Sequence, residues 1–388
     1  MRVIAAILSG TALSDLGVVI LPLILGSLVI IFGISEGVAG LVIFAELAGM
    51  ATTSLILSPL LHRLNRRTIG VIGGLLVCMG NLAAFFSATA VTLFIARIIA
   101  GIGSGAILSA TLAVSSEQKN VHRIFVAVSA TSMAAAVVML FYVPRLLESQ
   151  GPRSVFLVMA ALAAVVVVLS FWLTPWTTEG GEPKDQEDQR FNLFTLPSLL
   201  LCATYMLFSI AMNGAYFYAF QIGLSIGMEP SEIGDGLALA AIISLSGPVL
   251  ASLISTRFGR LPPLILAVIL NAIGVWVTTH TSSVTWFIAS ITLSTIMLTF
   301  AQPYFLGLAA HLVSSGRLSS AARGASTLGN TITPGVSALI LLMGGSYGTI
   351  GLVAAVLSAI ALLLLLLLGT QLNKAGASDV GVSEAERD

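Results

Sequence analysis

Asp15, Glu46 and Arg97 are the charged residues that stand in the interior of long apolar stretches of this 388-residue chain. In hydrocarbon a charged side chain costs at least ~2.5–3.5 kcal/mol on insertion scales, so such residues persist where they are paired or where they do chemistry. Two carboxylates and a guanidinium can hold and pass protons. A carboxyl group alone in an apolar setting and one beside a cation differ in proton affinity, and alternation between those settings moves a proton. The competing reading is a fixed polar clamp between helices. At ~1.5 Å per helical residue, Glu46 lies about 12 Å from the near end of its stretch and Arg97 about 9 Å from the near end of its own. These depths match, and a Glu46–Arg97 pair is expected. Asp15 lies roughly 25 Å from the corresponding end of the first stretch, which makes it a separate station.

The elements that must carry these residues follow from composition. The chain is 57% hydrophobic and 9% charged, with equal numbers of acids and bases; its mean hydropathy is +1.04. Soluble domains carry roughly a quarter charged residues, so lipid must be the solvent for much of this surface. Zero net charge gives no electrostatic case for nucleic acid. Cys78 and Cys202 fall in apolar runs and read as small hydrophobes rather than as metal ligands or a disulfide. No phosphate-binding loop, zinc-ligand spacing or Ser/His/Asp set with a hydrolytic context is present, so neither an enzyme nor a bound cofactor is expected.

Apolar runs near the bilayer-spanning length of ~20 residues recur at 3–32, 38–60, 68–89, 91–112, 124–146, 154–174, 195–226, 231–255, 261–281, 284–311, 320–344 and 347–370. The first is too long for a signal-peptide core. The expectation is an all-α membrane protein of twelve transmembrane helices in two pseudo-symmetric six-helix bundles, 1–174 and 195–370. A polar linker joins them at 175–194, and a disordered tail follows at 371–388. With the N-terminus inside, fourteen of the seventeen Lys and Arg residues fall on the inner side, which puts both termini there. A shift of 194 residues lays Gly33 on Gly227, Gly40 on Gly234, Arg63 on Arg257 and Arg66 on Arg260. A parallel six-plus-six repeat is a transporter architecture, with the site expected near mid-membrane where the halves meet.

The two related loops carry a family resemblance. Ser58-Pro59-Leu60-Leu61-His62-Arg63-Leu64-Asn65-Arg66-Arg67 resembles the G-x-x-x-D-R-x-G-R-R loop of the major facilitator superfamily, with His62 in the acidic position. Thr256-Arg257-Phe258-Gly259-Arg260 is the second copy and also lacks the acid. Arg97 to Gly103 resembles the family's R-x-x-x-G-x-G in span four. The resemblance implies a bacterial inner-membrane transporter of the proton-coupled drug and metabolite group, working as a monomer on a small organic solute by alternating access. It gives His62, Arg63, Arg66, Arg67, Arg257 and Arg260 a gating role. The fifth-span Gly-Pro motif of drug–proton antiporters is absent; Val128 to Val138 is rich in Ala and Ser instead. That favours uptake over efflux of amphiphilic compounds. A non-transporting receptor or scaffold on the same fold is the alternative of another class, and it would have no need of Asp15, Glu46 and Arg97.

The second half has no buried acid: Asp15 maps to Ser209 and Glu46 to Ala240. It is expected to shape the solute pocket. Ser209, Asn213, Tyr216 and Phe220 are spaced to share one face of a continuous helix, and Gln302 and Tyr304 flank Pro303 in span ten. Aromatics with a few amides and hydroxyls suit an apolar, aromatic or weakly polar solute, although each such residue taken singly is more often a packing residue. Gly101, Gly103 and Gly105 allow close helix approach, and Gly329 with Pro334 makes span eleven bendable.

Overall fold

Prolines, glycines and short polar caps decide where the apolar stretches begin, break and end. The fold is taken from a computed structural model that describes residues 2–61, 63–118, 120–176, 195–254, 257, 259–313 and 317–385. Its helices are α1 (Arg2–Val19), α2 (Leu21–Phe32), α3 (Glu36–Leu57), α4 (Arg66–Phe86), α5 (Ala90–Ser116), α6 (Val121–Gln150), α7 (Ser154–Ser170), α8 (Leu196–Tyr216), α9 (Ala219–Ser225), α10 (Pro230–Ser244), α11 (Ser246–Ile254), α12 (Leu261–His280), α13 (Val284–Leu312), α14 (Arg317–Leu342) and α15 (Tyr347–Ala385). Among the described residues eleven stretches are long and apolar enough to cross a membrane. The seventeen-residue α7 makes the twelfth span, and α2 continues the first. The twelve-helix, all-α expectation is met.

Three spans are broken, and the breaks have local causes. Pro22 has no N–H to donate, and Leu23 N–H turns to Ile20 O at 3.0 Å, so the ladder between α1 and α2 is interrupted. The hydroxyl of Tyr216 donates to the Val19 carbonyl at 2.9 Å. In span eight, Pro248 lacks the N–H that would reach Ser244 O, and the Thr299 hydroxyl donates there at 2.7 Å instead. Span seven breaks at Phe217–Tyr218 with neither Gly nor Pro at the break. The helix starts are capped more simply. Ser35 accepts from Val38 N–H, Asn65 from Thr68 N–H, and Thr89 forms a capping box with Thr92.

The 194-residue repeat reaches into the packing. Gly33 and Gly227 both take left-handed backbone, at φ 58° and 87°. A Cβ on Gly80 would strike Ala96 O and Ala100; one on Gly274 would strike Ser290 O and Ser294, the residues 194 further on. By contacts, the chain forms two compact units that differ from the sequence halves. One holds Met1–Pro183, Tyr216–Ile242 and Pro334–Ser346; the other holds Lys184–Ala215, Ile243–Thr333 and Tyr347–Asp388. Segments of spans seven, eight and eleven thus belong with the first half. Within that unit Phe220 fills the space left by Gly26, its own repeat equivalent, and Gly234 lies against Pro144.

The second unit has an aromatic core in which Tyr205 stacks on Phe305 at 4.1 Å, among Leu264, Val268 and Leu365. Leu55, Met79, Phe86, Leu253 and Trp286 are each more than half exposed, which only a lipid surround makes tolerable at this frequency. The linker expected at 175–194 lies, from residue 177, outside the described residues. Residues 371–385 continue α15, where a disordered tail was expected. No proline interrupts them, and extending an existing helix carries no nucleation cost.

Span four is gripped through its glycines. A Cβ on Gly101 would strike the Glu46 carbonyl, one on Gly105 the Met50 carbonyl, and one on Gly103 Val77 N at 2.7 Å. Gly17, by contrast, has open space around its Cβ position. Gly101→Ala is expected to destabilise the detergent-solubilised protein by about 1–3 kcal/mol. Gly17→Ala is neutral or slightly stabilising through helix propensity. Equal melting temperatures for the two variants would contradict this packing.

Candidate functional site

Among the described residues Arg97 is the largest fully buried polar side chain, 1% exposed. It lies on α5 and reaches two neighbouring helices. Its Nε donates to Glu46 Oε2 at 2.9 Å and its Nη2 to Glu46 Oε1, a two-pronged contact with α3. Nη1 donates to Asn81 Oδ1 of α4 at 2.9 Å, and Asn81 Nδ2 donates in turn to Val77 O. The Phe156 ring of α7 lies 5.7 Å from the guanidinium carbon. All five guanidinium hydrogens cannot be satisfied by one carboxylate, and Asn81 takes a share of the remainder. Asn81 is the member that sequence reasoning missed, because a neutral amide in a span carries no depth-matched charge to look for.

Asp15 sits apart from this triad. Its Oδ2 accepts from Ser132 Oγ of α6 at 2.7 Å, and it is only partly buried. Its neighbour Ser14 donates to Ser104 O, two turns along α5 from Arg97. Asp15 thus draws on α6, whereas Glu46 draws on α5. At the repeat-related place in the second half, Ser209 Oγ meets Ser326 Oγ at 2.7 Å: Asp15 and Ser132 shifted by 194 are Ser209 and Ser326. One turn on, Asn213 Nδ2 donates to Asn330 Oδ1 at 2.9 Å. The second half therefore makes the repeat-related contact with a neutral hydroxyl in place of the acid.

The profile of the Major Facilitator Superfamily matches residues 7–224, more than half of the chain. The chain belongs to the Major Facilitator Superfamily. Among curated proteins none matches it. Among solved structures the fold is similar to a point mutant of the nucleoside transporter NupG, with a TM-score of 0.74 and 14% identity over 95% of this chain and 99% of that one. It is also similar to a D-xylose–proton symporter, with a TM-score of 0.71 and 16% identity over 93% and 96%. This member of the superfamily is a multi-pass membrane transporter and not an enzyme.

The superfamily loop lacks its usual acid, and the structure supplies another. Arg66, 4% exposed, sets Nη1 2.6 Å from Glu117 Oε2 at the end of α5, and its Nε donates to Leu61 O. Arg67 Nε donates to Leu173 O. A cleft of about 420 Å³ opens beside Arg66, lined by Ser54, Ser58, Ser109 and Ser116. Arg63 and Arg257 are exposed and Arg260 partly so, while His62 lies outside the described residues.

The expected solute residues are dispersed. The break at Phe217–Tyr218 ends the shared face assumed for span seven, because helical spacing does not carry across it. Ser209 and Asn213 stay in the polar ladder with α14. Tyr216 is committed to Val19 and Phe220 is fully buried on Gly26. Tyr304 is buried against Phe300 and donates to Ala251 O at 3.3 Å, and Gln302 is partly buried. Gly329 brings α14 against Met206 O, with Pro334 inside a helix that stays continuous to Leu342.

Breaking a buried, hydrogen-bonded ion pair from one side leaves a charge stranded, at about 3–5 kcal/mol. Arg97→Gln is therefore expected to lower thermal stability in detergent steeply, and the double variant Arg97→Gln/Glu46→Gln to recover part of the loss. A double variant no more stable than Arg97→Gln alone would show that the two charges do not answer each other.

Proposed function

We propose that this transporter takes up a small, weakly polar organic solute in symport with protons, and that Asp15 is the proton carrier. The observation that carries the reading is the contrast between the two carboxylates. Glu46 is locked in a two-pronged contact with a fully buried arginine and tied through Asn81 to a third helix. Releasing such a carboxylate would unpair Arg97 as well. Asp15 has a rotatable hydroxyl among its partners. Ser132 Oγ donates to the carboxylate, and the same hydroxyl can accept once Asp15 takes up a proton. Both protonation states thus have a partner at no change of fold.

Solute contacts fall to the second half. The Asn213–Asn330 pair and the Ser209–Ser326 pair set amide and hydroxyl groups along one side of α8 and α14. Beyond the contact with Asn213, the half-buried Asn330 amide nitrogen supplies two donors. Pro334 removes the N–H that would otherwise cap the Asn330 carbonyl. Donors and an acceptor of this kind suit a hydroxylated or amide-bearing solute better than a purely apolar one, since Tyr216, Phe220 and Tyr304 are engaged in packing. The reading agrees with the proton symport named for one of the fold neighbours above. The Ala/Ser-rich Val128 to Val138, in place of an antiporter Gly-Pro motif, supports uptake. The excess of Lys and Arg on one side supports termini on the inner face of the plasma membrane.

In proteoliposomes holding a pH-sensitive dye, a panel of nucleosides, pentoses and aromatic amides identifies the solute by the proton flux it starts. Asp15→Asn is expected to abolish accumulation driven by a pH gradient while leaving solute-for-solute exchange intact. Ser132→Ala shifts the pH dependence of uptake without abolishing it. Gradient-driven accumulation that survives in Asp15→Asn would falsify the assignment.

A further inference from the structure

Asn271 stands ten residues into the twenty-residue α12, at mid-span and 0% exposed, and neither its Oδ1 nor its Nδ2 has a hydrogen-bond partner. Ser294 Oγ of α13 and Ser358 Oγ of α15 are buried in the same condition. Helix register sets the three at neighbouring heights on α12 and the two helices packed against it. A Cβ on Gly351 would meet Thr279 and one on Gly369 would meet Leu261, so the segment from Gly351 to Gly369 runs antiparallel to the equally long segment from Leu261 to Thr279. Ser358 is then level with Asn271 to within one residue. Against α13, Thr278 pairs with Ser290 at 2.8 Å and Gly274 abuts Ser294, so Ser294 lies one turn from Asn271 and Met297 lies level with it.

The first half has nothing polar at these positions. Shifted by 194, Asn271, Ser294 and Ser358 become Val77, Ala100 and Ala164. The fold does not require the trio, and its four unpartnered atoms stand where lipid offers no hydrogen bond. Each such buried group left unsatisfied costs about 1–3 kcal/mol. The occupant that removes this cost must both donate and accept, because Asn271 presents an N–H as well as a carbonyl oxygen. A bare cation would suit Oδ1 and the two hydroxyls but would face Nδ2 with like polarity, and the trio holds no carboxylate to balance it. Water meets every requirement, making about three hydrogen bonds to otherwise unpartnered groups. We propose that α12, α13 and α15 enclose a structural water site, of about one or two molecules, that bridges Asn271, Ser294 and Ser358. The second half then has a water-bridged joint where the first half is dry.

Synchrotron radiolytic footprinting of the full chain tests this, because hydroxyl radicals born from a bound water oxidise the side chains that touch it. Met297, 8% exposed, is the reporter, and Met159, 3% exposed in the first half, is the reference. Met297 is expected to be oxidised many-fold faster than Met159. The advantage is expected to vanish in Asn271→Val/Ser294→Ala/Ser358→Ala, which restores the first-half residues. A Met297 as inert as Met159, or one unchanged by the triple variant, overturns the proposal. Density for the unmutated protein decides it independently of how the variant folds. Solvent density between Asn271 and Ser358 supports the site, and a direct amide-to-hydroxyl hydrogen bond overturns it.

Discussion

A guanidinium cannot remain in the middle of a membrane protein without partners, and much of the first half is arranged around that constraint. Arg97 needs acceptors on two sides, so Glu46 must come from α3 and Asn81 from α4. Those helices can approach only because Gly101, Gly103 and Gly105 remove the side chains that would hold them apart. The triad and the glycines are two parts of one device: the glycines set the distance, and the charges fix the rotation of the helices about their axes. A rigid bundle of this kind is what a rocking transporter needs as a moving body.

Asp15–Ser132 and Ser209–Ser326 are the same contact made twice, 194 residues apart, once with an acid and once without. The repeat keeps the placement of the contact and changes its charge. The freed carbonyls obey the same economy. Val19 O and Ser244 O lose their usual N–H partners next to prolines, and a tyrosine and a threonine hydroxyl from other helices take their place. Breaks in the spans are thereby converted into contacts between them.

Much of this was legible in the sequence because it depends on counting. Span lengths follow from bilayer thickness, the repeat from one offset, and the Glu46–Arg97 pair from equal depths at a fixed helical rise. Side-chain partners that are neutral were not legible. Asn81, Ser132 and Ser326 resemble any other small polar residue in a span, and only the helix rotation shows what they face. Glu117 is not marked in the sequence, because the acid that reaches Arg66 comes from the end of span four and not from the loop whose acidic position His62 occupies. Span seven misled for a definable reason: its periodicity runs unbroken through Phe217 and Tyr218, where the helix itself stops without a Gly or Pro to mark the place.

The central claim is that one intramembrane carboxyl group is fixed and the other exchanges its proton. Infrared difference spectroscopy of the reconstituted protein reads this directly, since a protonated carboxyl in an apolar setting has a C=O stretch resolved from the amide bands. On titration through the working pH range, a single such band is expected to appear, and to be absent from Asp15→Asn. A band that persists unchanged in Asp15→Asn would place the titrating proton on another carboxyl group and contradict the division of roles between Asp15 and Glu46.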